Sequence, residues 1–298
     1  MARIPRAGQT GDAVSAPKQI HVGWVFGLAR SGSSITAYAS AAPWGLPVAD
    51  EIMGPWDRTG EPYNYPPEQA RLVEMFKASQ SRLTPEVAAQ TRKLLEELAR
   101  KQGADRIVSK HPHLRFTPEE MIEQFPSDRG VWLIRNPLRR LASIHARGWT
   151  SIVRPNHDLD YFREYAERWL NLPDDRTLVF ESLKRDPRAY FGKIYSAWGW
   201  AYTEADIDKA IAYQRAKYHG ASGEVEADHT PRDAVSERAR SVPTEAVELY
   251  LRDPFMRDLF NRLGWSLRKY DYCERPPTPL VRLRRKLRTL TQPRDHGS

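Results

Sequence analysis

The stretch Gly27-Leu28-Ala29-Arg30-Ser31-Gly32-Ser33-Ser34, GLARSGSS, decides how the rest of this sequence is read. An apolar strand-like run, Ile20 to Phe26, precedes it, and a helix-like segment begins at about Ser33. A strand feeding a tight glycine turn and then a helix aims several backbone N–H groups at one point, where the helix dipole adds partial positive charge. Ser31, Ser33 and Ser34 add hydroxyl donors around Gly32, so the loop is an anion cradle. The two glycines have the spacing of a nucleotide-triphosphate loop, in which a lysine follows the second glycine and reaches the outer phosphates. Ser33 stands in that place here. Arg30 must supply the positive charge instead, as a fork of donors suited to phosphate or sulfate oxygens.

Outward from this loop, strand-like runs alternate with helix-like segments. That pattern is an α/β domain with a central, largely parallel sheet flanked by helices, built on a phosphate-loop plan. Further strands are expected at Arg106 to Ser109, Gly130 to Arg135 and Thr177 to Glu181. Thr84 and Gly103 bracket a helix over 85–102 as N-cap and C-terminal stop. Thr117-Pro118-Glu119-Glu120 is a capping box. Asn136-Pro137 and Asp186-Pro187 each place a capping residue before a proline suited to the first helical turn. Residues 43–66, rich in Pro, Gly and Trp, read as one long loop. From the helix carrying Tyr190, Phe191, Ile194 and Trp198 to Gly264, the chain reads as helical with a loop at 219–243.

The chain has 298 residues, enough for one large domain, which we place at 18–272 after a disordered lead at 1–17 and before a basic tail at 273–298. No apolar run is long enough to span a membrane, and the lead has no apolar segment of the kind a secretory signal carries. Cys273 is the one cysteine, which excludes an internal disulfide framework and a cysteine-based zinc site and fits a reducing cytoplasm. Net charge is +8 with histidine neutral, which favours anionic ligands, although much of the excess lies between Arg275 and Arg294. Within that tail Leu280, Leu283, Leu287 and Leu290 recur at helical spacing among arginines and Lys286. A basic amphipathic helix of this kind can make peripheral contact with an anionic membrane, and it can equally dock on its own domain.

A second anchor lies in Ile134 to Arg147, IRNPLRRLASIHAR. Arg135 ends a strand, at the edge where open α/β sheets take ligands. Arg139, Ser143 and Arg147 follow at helical spacing and share one broad face. Two separate phosphate grips in one domain call for a ligand with anionic groups at both ends.

At these residues the sequence resembles the sulfotransferases. GLARSGSS looks like their 5′-phosphosulfate loop, and IRNPLRRLAS like their 3′-phosphate motif, an arginine followed eight residues later by a serine. LVFESLKRDP, Leu178 to Pro187, looks like their third landmark, a strand ending in Glu-x-Leu before Asp-Pro. SERARSVP, from Ser236, resembles a late segment whose serine reaches the cofactor, before a helix that ends in Leu263-Gly264-Trp265. The resemblance covers roughly residues 20 to 265 and is nearest to the branch with arginine in the loop, which holds bacterial and tyrosylprotein sulfotransferases. Two positions depart from the pattern: Phe180 stands for a usual tyrosine, and Ala29 for a usual proline.

The resemblance implies 3′-phosphoadenosine 5′-phosphosulfate (PAPS) as sulfuryl donor and 3′-phosphoadenosine 5′-phosphate (PAP) as product, with no metal required. It implies that Ser31, Gly32, Ser33 and Ser34 hold the 5′ end, and that Arg135, Ser143 and Arg147 hold the 3′-phosphate, with Ser236 nearby. Arg30 and Lys110 would neutralise charge on the sulfuryl group. Glu51 lies 21 residues beyond Arg30, where that branch carries its catalytic carboxylate. His111 and His113 are rival bases, since histidine titrates in the right range; Asp50 is a weaker one. Trp44, Trp56, Tyr63 and Tyr65 either wall an acceptor pocket or pack the long loop.

The function expected is transfer of a sulfuryl group to a hydroxyl, less favourably an amine, of a small-molecule or lipid acceptor, in the cytoplasm and open to membrane association through the tail. Nucleic acid is not an expected partner, because no recognised nucleic-acid motif is present. Oligomeric state is left open, a homodimer included. The competing readings are a small-molecule kinase of the phosphate-loop type, disfavoured by the missing lysine, and a non-catalytic anion or nucleic-acid binder.

Overall fold

The structure is a computed structural model that describes residues 19–52, 67–80, 82–111, 118–146, 155–217 and 242–273. Five strands form one sheet: β1 (His21–Gly27), β2 (Val48–Asp50), β3 (Arg106–His111), β4 (Arg129–Ile134) and β5 (Thr177–Val179), in the order β2-β3-β1-β4-β5. Every pairing is parallel. Parallel strands need crossovers, which place helices on the sheet faces and bury the strands on both sides. That is why β1 and β4 are buried at every position after the first.

The two faces follow the alternation of side chains along each strand. Trp24 and Phe26 of β1 point to one face, where Phe26 stacks between Trp24 and Trp132 at centroid distances of 5.6 and 4.9 Å. That face is covered by α2 (Pro67–Ala78), α3 (Pro85–Lys101), α4 (Pro118–Gln124), α5 (Pro137–His145), α6 (Pro155–Leu170) and two late helices, α10 (Thr244–Arg252) and α11 (Pro254–Arg262). Val25, Val108, Val131 and Leu133 point to the other face, beneath α1 (Ser33–Ala41), α7 (Ser182–Arg185), α8 (Pro187–Trp198) and α9 (Glu204–Lys217).

Helix starts obey the capping chemistry read from the sequence. Thr84, Asn136 and Asp186 each accept a hydrogen bond from the backbone N–H three residues on and precede a proline, and Asp253, not singled out in the sequence, does the same. α1 differs: its N-cap is Gly32, and no side chain caps it. Thr117, in the expected capping box, lies outside the described residues.

Two expectations need correction. Residues 43–66 are not one loop: β2 lies inside them, behind a short 3-10 turn at Ala42–Trp44, and pairs Val48, Ala49 and Asp50 with Val108, Ser109 and Lys110. Three residues are too few to show an alternating pattern, so only the partner strand defines it. β3 runs on through Lys110 and His111, which we had placed after the strand. The extra length brings both residues to the C-terminal edge of the sheet.

Candidate active site

That edge collects the chemistry. Five strand ends deliver the glycine loop after β1, Glu51 after β2, Lys110 and His111 on β3, Arg135 after β4 and Glu181 after β5.

The glycine loop is bent by two left-handed residues, Arg30 at φ 69° and Gly32 at φ 92°. The Ser31 N–H closes the turn on the Leu28 carbonyl at 2.9 Å, and Thr36 N–H makes the first helical bond back to Gly32. The first turn of a helix leaves N–H groups without intrahelical partners, and at α1 the N-cap, Gly32, has no side chain to take one. Ser31 and Ser33 are buried beneath the loop, and Ser34 is exposed on it.

The two predicted grips meet. Arg30 Nε donates to Ser143 Oγ at 3.1 Å, and Arg135 Nη1 donates to the Arg30 carbonyl at 2.8 Å. Phe180 fills the space between them. The Arg135 guanidinium lies 5.0 Å from the centre of its ring, and a Cβ on Gly32 would fall 2.1 Å from a ring carbon. These contacts are made by the ring alone, so the pattern's usual tyrosine is not needed for them.

The corner carrying Arg135 is pinned from two sides. Glu181 accepts from the Asn136 N–H at 3.1 Å, and Asn136 Nδ2 donates to Tyr272 Oη at 3.0 Å. Tyr272 in turn donates to the Ser266 carbonyl at 2.8 Å, and burial is the main cause that pushes its pKa up to about 12. Glu181 was legible only as part of the Glu-x-Leu landmark, without a role. Nothing in the sequence pointed to Tyr272.

Lys110 is the second centre. It is 3% exposed, and its Nζ lies 2.6 Å from Asp50 Oδ1 and 2.5 Å from Glu51 Oε1. Glu51 adopts φ 55°, rare for a residue with a side chain, and its N–H donates to the Lys110 carbonyl at 3.0 Å. Asp50 Oδ2 also accepts from Tyr38 Oη of α1 at 3.4 Å. Burial, then Asp50, push the Tyr38 pKa up to about 12.

His111 is placed differently. It follows Lys110 in the strand, so it points to the opposite face, where it is 1% exposed and meets Phe76 of α2 edge-on at 6.5 Å. The structure therefore does not bring His111 together with Lys110 and Glu51. Trp44 is half-buried and packs against Tyr195 and Trp200 on the α8 face, with the Arg106 guanidinium 4.6 Å from its ring centre. His113, Arg147, Ser236, Trp56, Tyr63, Tyr65 and the basic tail from residue 274 on lie outside the described residues, while Cys273 is buried in the core. Among the described residues, no group of three or more His, Cys, Asp or Glu could hold a metal ion, and no helix is long and apolar enough to cross a membrane.

No family model and no curated protein matches this chain. Solved structures similar to it include sulfotransferase STF9 from Mycobacterium avium, 14% identical with a TM-score of 0.46 over 84% of this chain and 78% of that one. The sulfotransferase domain of the Synechococcus PCC 7002 olefin synthase is 16% identical, with a TM-score of 0.45 over 88% of this chain and 100% of that one. Mouse sulfotransferase SULT7A1, solved with PAP, is 12% identical, with a TM-score of 0.42 over 83% of this chain and 84% of that one.

Proposed function

We propose that this chain is a sulfotransferase that uses PAPS and acts on a hydroxyl, less favourably an amine, of a small-molecule or lipid acceptor. The observation that carries the reading is the junction of Arg30, Ser143 and Arg135, which joins two motifs more than a hundred residues apart. The residues suit the donor: an uncapped helix start and serine hydroxyls for a 5′-phosphosulfate, and arginine forks for a 3′-phosphate.

The donor supplies an activated sulfuryl group. Ser31, Ser33, Ser34 and the N–H groups around Gly32 hold its 5′ end. Arg135 and Ser143 hold its 3′-phosphate, with Arg147 and Ser236 as further candidates. Arg30 and Lys110 set fixed positive charge where the transferring group is negative, the main service a protein gives to such a transfer. Glu51 is the base that takes the acceptor proton. Its pairing with Lys110 holds the carboxylate, on a left-handed backbone, at the same C-terminal edge of the sheet as the glycine loop. His111, on the other face, drops out of this role.

PAP release from PAPS, with a panel of phenols and amines or water as acceptor, tests the assignment. Glu51→Gln is expected to slow release by about 100-fold or more while PAP binding is kept. An unchanged rate removes Glu51 as the base. Magnesium-dependent consumption of ATP without PAP release from PAPS would replace the whole reading by the kinase one.

A further inference from the structure

β1 is held at both ends by an arginine that donates to a backbone carbonyl. At its entry, Arg92 Nη2 donates to the Ile20 carbonyl at 2.6 Å while Nη1 grips both carboxylate oxygens of Asp128 at 2.6 and 2.7 Å. At its exit, Arg140 Nη1 donates to the Ala29 carbonyl at 3.3 Å while Nη2 grips Asp158 of α6. Asp158 also accepts from Tyr250 Oη of α10 at 2.6 Å. Arg140 is 2% exposed and Asp158 7%. Burial works against the guanidinium's charge, but Asp158 and Tyr250 outweigh it and raise its pKa.

Only the second clamp touches the glycine loop. Ala29 immediately precedes Arg30, whose carbonyl and side chain make both contacts that join the two grips. Fixing the Ala29 carbonyl fixes the peptide plane that leads into the left-handed Arg30. An isolated buried arginine is costly, and pairing with Asp158 and Tyr250 makes it tolerable. A hydrophobic residue of similar volume would fill the same space without reaching the loop.

We propose that Arg140, held by Asp158 and Tyr250, is a positioning residue that sets the glycine loop for its anion, an inference that rests on the reading of that loop as the donor's 5′ grip. Through it, α6 and α10 support a loop that neither helix was expected to reach.

The test compares the pair variant Arg140→Met/Asp158→Leu with Arg92→Met/Asp128→Leu in the full chain. Replacing both charged partners avoids the cost of leaving one charge buried and unpaired, so both variants are expected to fold. The first readout is hydrogen exchange of the 27–36 segment without ligand. It should accelerate in the Arg140 variant and match the wild type in the Arg92 variant. The second is PAP affinity, which should fall by roughly tenfold or more in the Arg140 variant only. Arg140→Lys keeps a cation beside Asp158 but lacks the second fork arm, so it should keep thermal stability and still lose loop protection. Unchanged exchange in the Arg140 variant, or equal acceleration in both pair variants, overturns the proposal. A wild type that does not bind PAP removes the sulfotransferase reading, while the exchange data still decide the role of Arg140.

Discussion

Gly32 carries two demands at once: a left-handed backbone at φ 92° and a ring carbon of Phe180 that a Cβ would meet at 2.1 Å. The first costs an L residue on the order of 1–3 kcal/mol, and the clash adds to it. Gly32→Ala is therefore expected to lower the unfolding midpoint and to weaken PAP binding together, because Phe180 must move and Arg135 rests on Phe180. Chemical denaturation with a parallel binding titration checks this; a variant with wild-type stability and affinity would show that the ring is not fixed there. The neighbouring Arg30 tolerates its own left-handed conformation because three partners hold it. Its Nε is bonded to Ser143, its carbonyl to Arg135, and the carbonyl before it to Arg140.

At the scale of elements, helix caps separate stability from binding. Thr84 caps α3 far from the cleft, so Thr84→Ala should cost about 1 kcal/mol and leave PAP affinity alone. Asn136 caps α5 and also bonds Tyr272, beside Arg135. Asn136→Ala should cost about the same for the cap, further stability for the Tyr272 bond, and affinity as well. Denaturant midpoints and PAP titrations of both variants distinguish the two. These caps were readable from sequence because a capping side chain acts within three residues. β2 was not: it is three residues long and defined by β3, a partner some sixty residues away. Lys110 and Glu51 were each singled out by the family resemblance, but their pairing, which comes from β3 running past Ser109 beside β2, depends on that hidden strand. The Arg140–Asp158–Tyr250 cluster was invisible for the same reason, since arginine in a basic helix reads as a solvated face until α6 and α10 cover it.

The whole molecule is tied together by buried phenols. Tyr165 donates to the Leu133 carbonyl at 2.5 Å, Tyr190 pairs with Thr36 at 2.8 Å, and Tyr250 donates to Asp158 at 2.6 Å. Burial is the first cause that raises the pKa of Tyr165, Tyr190, Tyr195, Tyr250 and Tyr272, the last to about 12. Unfolded tyrosines ionise near a pKa of about 10. Above that pH the unfolded chain binds fewer protons than the folded one, so stability is complete below about pH 10 and falls as pH rises beyond it. Denaturant midpoints at rising alkaline pH should decline, with phenolate absorbance appearing together with unfolding; a midpoint flat through pH 11 would contradict this assignment. The sheet order, its parallel sense and the meeting of two arginine grips at its C-terminal edge together define the central claim, which is a cleft for a ligand with separated anionic ends. The most direct measurement is calorimetric binding of PAP, with ATP as control and no magnesium, to the wild type and to Arg135→Ala. The account predicts that PAP binds more tightly than ATP, and that Arg135→Ala loses the difference. Equal or tighter binding of ATP, or a PAP affinity indifferent to Arg135, would contradict it.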